Sequence, residues 1–178
     1  MNGHNRRFTW ADALSLSRLP LAGAFALADT TTSQAIIVAA AGFTDFIDGW
    51  LARQLGQSSR AGEIIDPVAD KLFVLTILVT LVLRAQLRIW EVLLLLLRDG
   101  YNTFAFIVLR AQNAPVRFQA RRSGKVVTVL QIGSVLALLI APQVFHVSLI
   151  LTAAAGVWAI VDYTRAGLRD LRQAHTAG

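Results

Sequence analysis

An all-α integral membrane bundle of six transmembrane helices, forming one domain over residues 1–178, is the fold class that this sequence predicts. Three observations carry the expectation. Hydrophobic residues make up 55% of the chain and charged residues only 16%, with a mean hydropathy of +0.55, which is too apolar for an ordinary soluble domain. Six apolar stretches of about 16 to 23 residues follow one another, close to the roughly 20 that a helix needs to cross a bilayer. Basic residues also segregate. With a cytoplasmic N-terminus, that side holds Arg6, Arg7, Arg53, Arg60, Arg110, Arg117, Arg121, Arg122, Lys125, Arg165, Arg169 and Arg172, and the far side only Arg84 and Arg88, as the positive-inside rule requires.

Composition also excludes some chemistry. The chain has no cysteine, so disulfides, thiol catalysis and thiolate metal sites drop out. His4, His146 and His175 lie near the termini or in an expected loop, and none is read as a ligand. A formal charge of +6 on so apolar a chain suits a membrane surface or an anionic substrate better than nucleic acid.

Each segment has its own signals. Thr9-Trp10-Ala11-Asp12 is a Thr-x-x-Asp helix start, with Trp10 placed for the membrane interface, and it opens an apolar segment over residues 13–28. Arg6-Arg7 before this segment and Ala26-Leu27-Ala28 at its end resemble a cleavable secretory leader. Arg18 and Pro20 inside it, and five further apolar segments after it, favour a retained first helix. Residues 29–34 read as a polar turn. A second helix over 35–55 is broken by Gly56, Ser58 and Ser59, and a third covers 61–83. Pro67 removes a backbone donor there, so the third helix either kinks at that point or begins at Asp66. The fourth, over 90–109, carries Arg98-Asp99 at a depth where charges pair with neighbouring helices or touch substrate. A basic loop follows, then helices over 126–141 and 145–163 and a basic tail.

The chemistry concentrates between residues 45 and 70. On ideal helices Asp45, Asp48, Gly49 and Ala52 line one stripe, and Gly62, Asp66 and Asp70 line another, so two carboxylates from each of two helices can face each other. Four unpartnered aspartates within the bilayer would cost on the order of 10 kcal/mol, at roughly 2.5–3.5 kcal/mol each. Arg53 alone cannot balance them, and Lys71 lies about 100° round the helix from Asp70. Carboxylates are hard ligands suited to Mg2+ or Mn2+, and four of them suit two ions about 3.5–4 Å apart. A two-metal phosphoryl-transfer site is the expectation.

The string D-x2-D-G-x2-A-R-x8-G-x3-D-x3-D, running from Asp45 to Asp70, resembles the signature of the CDP-alcohol phosphotransferase family. The resemblance implies that an alcohol attacks the diphosphate of a CDP-linked substrate and CMP leaves. It implies metal ligation by Asp45, Asp48, Asp66 and Asp70, with Asp70 also placed as general base. It implies a CDP pocket formed by Asp48, Gly49, Ala52, Arg53 and Gly62; small residues of this kind also serve close helix packing. Leu14-Ser-Leu-Ser-Arg18, Asp66-Pro-Val-Ala-Asp70-Lys71 and Gly124-Lys125-Val-Val-Thr128-Val-Leu-Gln131 are similar to the branch of phosphatidylglycerophosphate and cardiolipin synthases. Asp12-Ala-Leu-Ser15 departs from the Asn-Leu-Leu-Thr often found there.

Within that branch the implied donor is CDP-diacylglycerol. The implied acceptor is an anionic alcohol, glycerol 3-phosphate first and phosphatidylglycerol as the alternative. Arg98-Asp99 leans toward the cardiolipin-synthase side. Arg117, Arg121, Arg122 and Lys125 are candidates to bind the acceptor, although a cytoplasmic loop is basic for reasons of topology alone. A plasma (inner) membrane location, an active site near the cytoplasmic face and a homodimer complete the expectation. An intramembrane prenyltransferase and a cation transporter are the competing readings; the first lacks the Gly49, Ala52-Arg53 and Gly62 pattern, and the second needs acids along the whole membrane rather than at one end.

Overall fold

The computed structural model describes residues 10–55, 62–111 and 122–176, and within these the side chains of 16–44, 69–108, 111 and 123–167. Among the described residues there are seven helices and no strand: α1 (Trp10–Leu27), α2 (Thr31–Leu55), α3 (Gly62–Leu83), α4 (Ile89–Leu95), α5 (Leu97–Ala111), α6 (Arg122–Ile140) and α7 (Pro142–Thr176). They fall into two compact units, residues 1–88 and 89–178.

In the first unit α1 packs against both α2 and α3. Its inner stripe is Arg18, Ala22 and Phe25, spaced i, i+4, i+7, and α3 offers Ala69, Phe73, Ile77 and Leu81 at helical spacing. Polar contacts fasten the pair at two levels. Part-way along both helices Arg18 forms an ion pair with Asp70. At the C-terminal end Arg84 donates to the carbonyls of Ala28 (2.5 Å) and Ala26 (2.8 Å), satisfying groups that the last turn of α1 leaves without helical partners. Contacts that follow in the same order along both chains mean that α1 and α3 run parallel. The second helix starts four residues earlier than expected because Thr30 caps it, its hydroxyl accepting from the Ser33 amide at 3.1 Å. The third starts at Gly62 and continues helically through Pro67 and Asp66, so it does not begin at Asp66.

The C-terminus of α3 closes in a Schellman arrangement: Gln86 N donates to Leu81 O at 2.9 Å and Ala85 N to Val82 O at 2.9 Å. The left-handed residue this turn needs is Ala85, at φ 56°, where glycine is the usual occupant.

In the second unit α7 packs on α4, α5 and α6. Phe145, Leu149, Thr152, Gly156 and Ala159 form its buried stripe, and alternating steps of four and three keep that stripe on one face. The turn from α6 to α7 is Ala141 alone, and Pro142 opens α7 at a position whose N–H needs no helical partner. The final helix runs 35 residues, so the basic segment read as a tail is helical through Thr176. Apolar residues end near 163, but Ala, Leu, Arg and Gln continue to favour helix beyond that point.

The expected fourth helix is divided into α4 and α5 at Leu96. The backbone ladder persists, with Leu96 N to Val92 O at 2.9 Å and Gly100 N to Leu96 O at 2.8 Å. The Leu95 carbonyl, however, accepts from Gln131 Nε2 at 2.6 Å, and a side chain entering the ladder is an ordinary cause of such a break.

The same glutamine belongs to a polar belt across α5, α6 and α7. Gln131 also donates to Asp99 Oδ2 (2.8 Å), Arg98 pairs with Asp99 Oδ1 (2.7 Å) and donates to Tyr163 (3.3 Å), and Ser123 donates to Asp162 (2.9 Å). Arg98 and Asp99 therefore bond neighbouring helices, the structural one of the two roles expected for them. Deeper in, Ser134 shares hydrogen bonds of 2.8 Å with Ser148 and with Thr152. Outside lie large apolar side chains, among them Val147, Ile150, Leu151, Val157 and Trp158. Among the described residues, Ser123–Ile140 and Pro142–Gly167 are long and apolar enough to cross a membrane.

Two stability predictions follow from this geometry. Ala85→Gly relieves the left-handed strain and is expected to stabilise the protein by about 1 kcal/mol, read as a raised midpoint of thermal unfolding in detergent. A Cβ at Gly124 would stand 2.2 Å from Arg98 Nη2 and 2.5 Å from the Tyr163 hydroxyl, both held in the belt. Gly124→Ala is therefore expected to cost about 1–3 kcal/mol on the same measurement.

Candidate functional site

The motif residues occupy two helices of the first unit. The second helix carries Asp45, Asp48, Gly49, Ala52 and Arg53, and the third carries Gly62, Asp66 and Asp70, all at helical backbone positions. The register needed for each stripe is thus present in each helix. The side chains of Asp45, Asp48, Ala52, Arg53 and Asp66 lie outside the described residues, as does whatever surrounds Gly49 and Gly62.

Asp70 is described. It stands one residue after Ala69, which faces the core at 3% exposure, and its own side chain is 51% exposed. Arg18 reaches its Oδ1 from α1, and Arg18 itself is only 4% exposed. This corrects the charge balance drawn from the sequence, where Arg53 and Lys71 were the only cations weighed against the aspartates. The cation found against Asp70 comes from 52 residues earlier in the chain. A lone arginine in an apolar segment was the available signal, since charges at that depth pair. Spacing within one helix does not reveal a partner on another.

Four carboxylates on two helices are an all-oxygen, hard ligand set, which fits Mg2+ or Mn2+ and not a soft ion. Among the described residues no group of three or more His, Cys, Asp or Glu side chains gathers, and three of the four motif aspartates are not in that set.

The candidates for acceptor binding belong to the second unit. Arg117 and Arg121 lie outside the described residues, Arg122 is the first residue of α6, and Lys125 is exposed in its first turn. The belt residues Asp162, Tyr163 and Gln131 went unnamed as polar partners in the sequence reading. Asp162 and Tyr163 interrupt an apolar segment, and that interruption was their signal.

Comparison with known proteins bears on the same segments. The family model described as CDP-alcohol phosphatidyltransferase matches residues 8–161. A "probable phosphatidylglycerophosphate synthase" of Mycobacterium tuberculosis is 32% identical over 186 residues, covering 95% of this chain and 86% of the relative. The CDP-diacylglycerol–glycerol-3-phosphate 3-phosphatidyltransferase of Bacillus subtilis is 33% identical, covering 73% of this chain and 66% of the relative. A cardiolipin synthase (CMP-forming) of Streptomyces coelicolor is 38% identical over 80 residues, covering 45% of this chain but only 37% of the relative. With several relatives the match thus spans about a third of their length. The family match takes in both helices that carry the aspartate motif, and on that ground the chain belongs to the CDP-alcohol phosphatidyltransferase family.

Proposed function

We propose that the protein transfers a phosphatidyl group from CDP-diacylglycerol to an anionic alcohol, with glycerol 3-phosphate as acceptor and CMP as the released product. The observation that carries this reading is the unbroken motif from Asp45 to Asp70, set in helical register on α2 and α3 of a chain from this family. The acceptor oxygen attacks the phosphorus bonded to the diacylglycerol oxygen, the bond from that phosphorus to the bridging oxygen breaks, and CMP leaves with that oxygen. Asp70 takes the proton from the acceptor hydroxyl. Asp45, Asp48, Asp66 and Asp70 would hold two Mg2+ or Mn2+ ions, which when bound neutralise the diphosphate and the charge growing on the leaving CMP. Arg53 offers a forked donor to a diphosphate oxygen. Gly49, Ala52 and Gly62 leave room for the nucleotide beside the helix backbone.

Six membrane spans accommodate such a donor: α1, α2, α3, α4 with α5, α6, and α7. Apolar side chains on the outside with serine, threonine and charged groups within suit lipid as the solvent, so the donor's acyl chains stay in the bilayer. The charge asymmetry supports a motif near the cytoplasmic face, from which CMP can leave, and the plasma (inner) membrane is the location we propose. A homodimer rests on family resemblance. Acceptor binding by Arg117, Arg121, Arg122 and Lys125 is supported by the position of the last two in the first turn of α6, where unpaired backbone N–H groups also favour an anion. Phosphatidylglycerol is the second reading of the acceptor, favoured by Arg98-Asp99 and by the similarity to a CMP-forming cardiolipin synthase.

Purified protein given CDP-diacylglycerol, Mg2+ or Mn2+ and one acceptor at a time (glycerol 3-phosphate, phosphatidylglycerol, inositol phosphate or serine) is expected to release CMP with glycerol 3-phosphate. Release with phosphatidylglycerol alone would establish the second reading. Asp66→Asn and Asp70→Asn are each expected to lower turnover by about 10²-fold or more while leaving folded protein in detergent, and appreciable activity in both would refute the site. Charge reversal at Arg117, Arg121 and Arg122 is expected to raise the acceptor KM about tenfold or more with little change in the donor KM, as loss of charge-assisted contacts to the acceptor alone would do. An equal effect on both KM values would reduce that loop to a topological signal.

A further inference from the structure

We infer that Arg18 is a positioning residue for the reaction: from within the core of the first unit it holds the carboxylate of Asp70 at the surface where the acceptor hydroxyl must be met. The inference rests on the reading of Asp70 as part of the catalytic motif.

The asymmetry of the pair carries the argument. Asp70 is half exposed, so the protein buries it far less than it buries its partner. Arg18 is 4% exposed and shares its stripe with Ala22 and Phe25, so the arginine is the costly member of the pair. An apolar side chain at position 18 would fill that stripe without burying a charge, and would take the cation away from Asp70. What the guanidinium adds is a planar, permanently charged donor that fixes the direction of a carboxylate. It touches Oδ1 of Asp70 from a helix that is fastened to α3 a second time, by Arg84 on the carbonyls of Ala26 and Ala28. The anchoring helix is therefore held to α3 at two levels. A carboxylate that has to meet one hydroxyl gains from such fixing, because displacements of about 1 Å cost on the order of 10²-fold in rate.

The test uses the full chain in detergent or nanodiscs with Arg18→Met, Arg18→Lys and Asp70→Asn. Three quantities are measured: CMP release resolved into kcat and the two KM values, the thermal unfolding midpoint, and the number and affinity of Mn2+ ions bound by electron paramagnetic resonance. Arg18→Met is expected to remain folded with an unfolding midpoint near that of the parent, to lose kcat by about 10²-fold, and to keep both KM values within about threefold. Arg18→Lys, which keeps the charge but not the fork, should recover part of that loss. Mn2+ stoichiometry should be unchanged in Arg18→Met, since its motif carboxylates remain. Turnover per folded molecule of Arg18→Met within about threefold of the parent would overturn the inference. So would a rise in donor KM at constant kcat, which would make Arg18 a substrate contact. Should Arg18→Met fail to fold, Arg18→Lys decides: lowered kcat at constant KM supports positioning, and unchanged kcat refutes it. Activity retained in Asp70→Asn would fell the site reading itself, an outcome distinct from an inactive Asp70→Asn beside a fully active Arg18→Met.

Discussion

The parallel pairing of α1 with α3 is the constraint on which the first unit depends. Apolar contact alone lets two helices slide by a turn at small cost, because one ridge of alanine, phenylalanine and leucine fits much like the next. Two polar contacts at different levels remove that freedom. The ion pair of Arg18 with Asp70 sets the height of α3 part-way along, and Arg84 on the carbonyls of Ala26 and Ala28 sets it at the C-terminal end. The height at which Asp70 stands beside α1 is therefore fixed twice. That matters for a family whose motif ends on this aspartate.

The second unit solves a related problem by other means. Its interior is not a purely apolar core: the belt of Arg98, Asp99, Gln131, Tyr163, Ser123 and Asp162 crosses three helices, and Ser134, Ser148 and Thr152 link two of them deeper in. For helices long and apolar enough to cross a membrane, as α6 and α7 are, lipid offers little gain for moving one apolar surface against another, and hydrogen bonds and close packing then specify which faces meet. Gly124 shows how tightly this is drawn, since the space its missing side chain leaves is filled by the Arg98 guanidinium and the Tyr163 hydroxyl. The bond from Gln131 to the Leu95 carbonyl is part of the same network, and its visible cost is the interruption between α4 and α5.

Helices were legible in the sequence wherever an apolar run of membrane length marked them, and the aspartate motif was legible because its spacing matches the helical period on both sides of the break. Boundaries were less so. Thr31, Thr32 and Ser33 look like loop by composition but form the first turn of α2 under the Thr30 cap. The basic residues after Tyr163 look like a tail because hydropathy falls, yet nothing there stops a helix. What could not be read was any partner drawn from a distant segment: Arg18 for Asp70, Arg84 for the end of α1, Gln131 for Leu95 and Asp99. Periodicity reports which face of a helix is apolar and is silent on what that face meets. The competing prenyltransferase and transporter readings gave way on different evidence, the match of the family model across residues 8–161.

The connection between α6 and α7 is a single alanine, Ala141. Two helices joined without slack behave as one hairpin. Turning either about its own axis drags the other, and the Ser134–Thr152 contact a few turns away reports any such turn. Sequence added at this corner would act as a torsional spacer between the two rods, uncoupling them before it perturbed either one. The corner is thus an unforgiving place for a fusion or an epitope tag, although it carries no chemistry of its own.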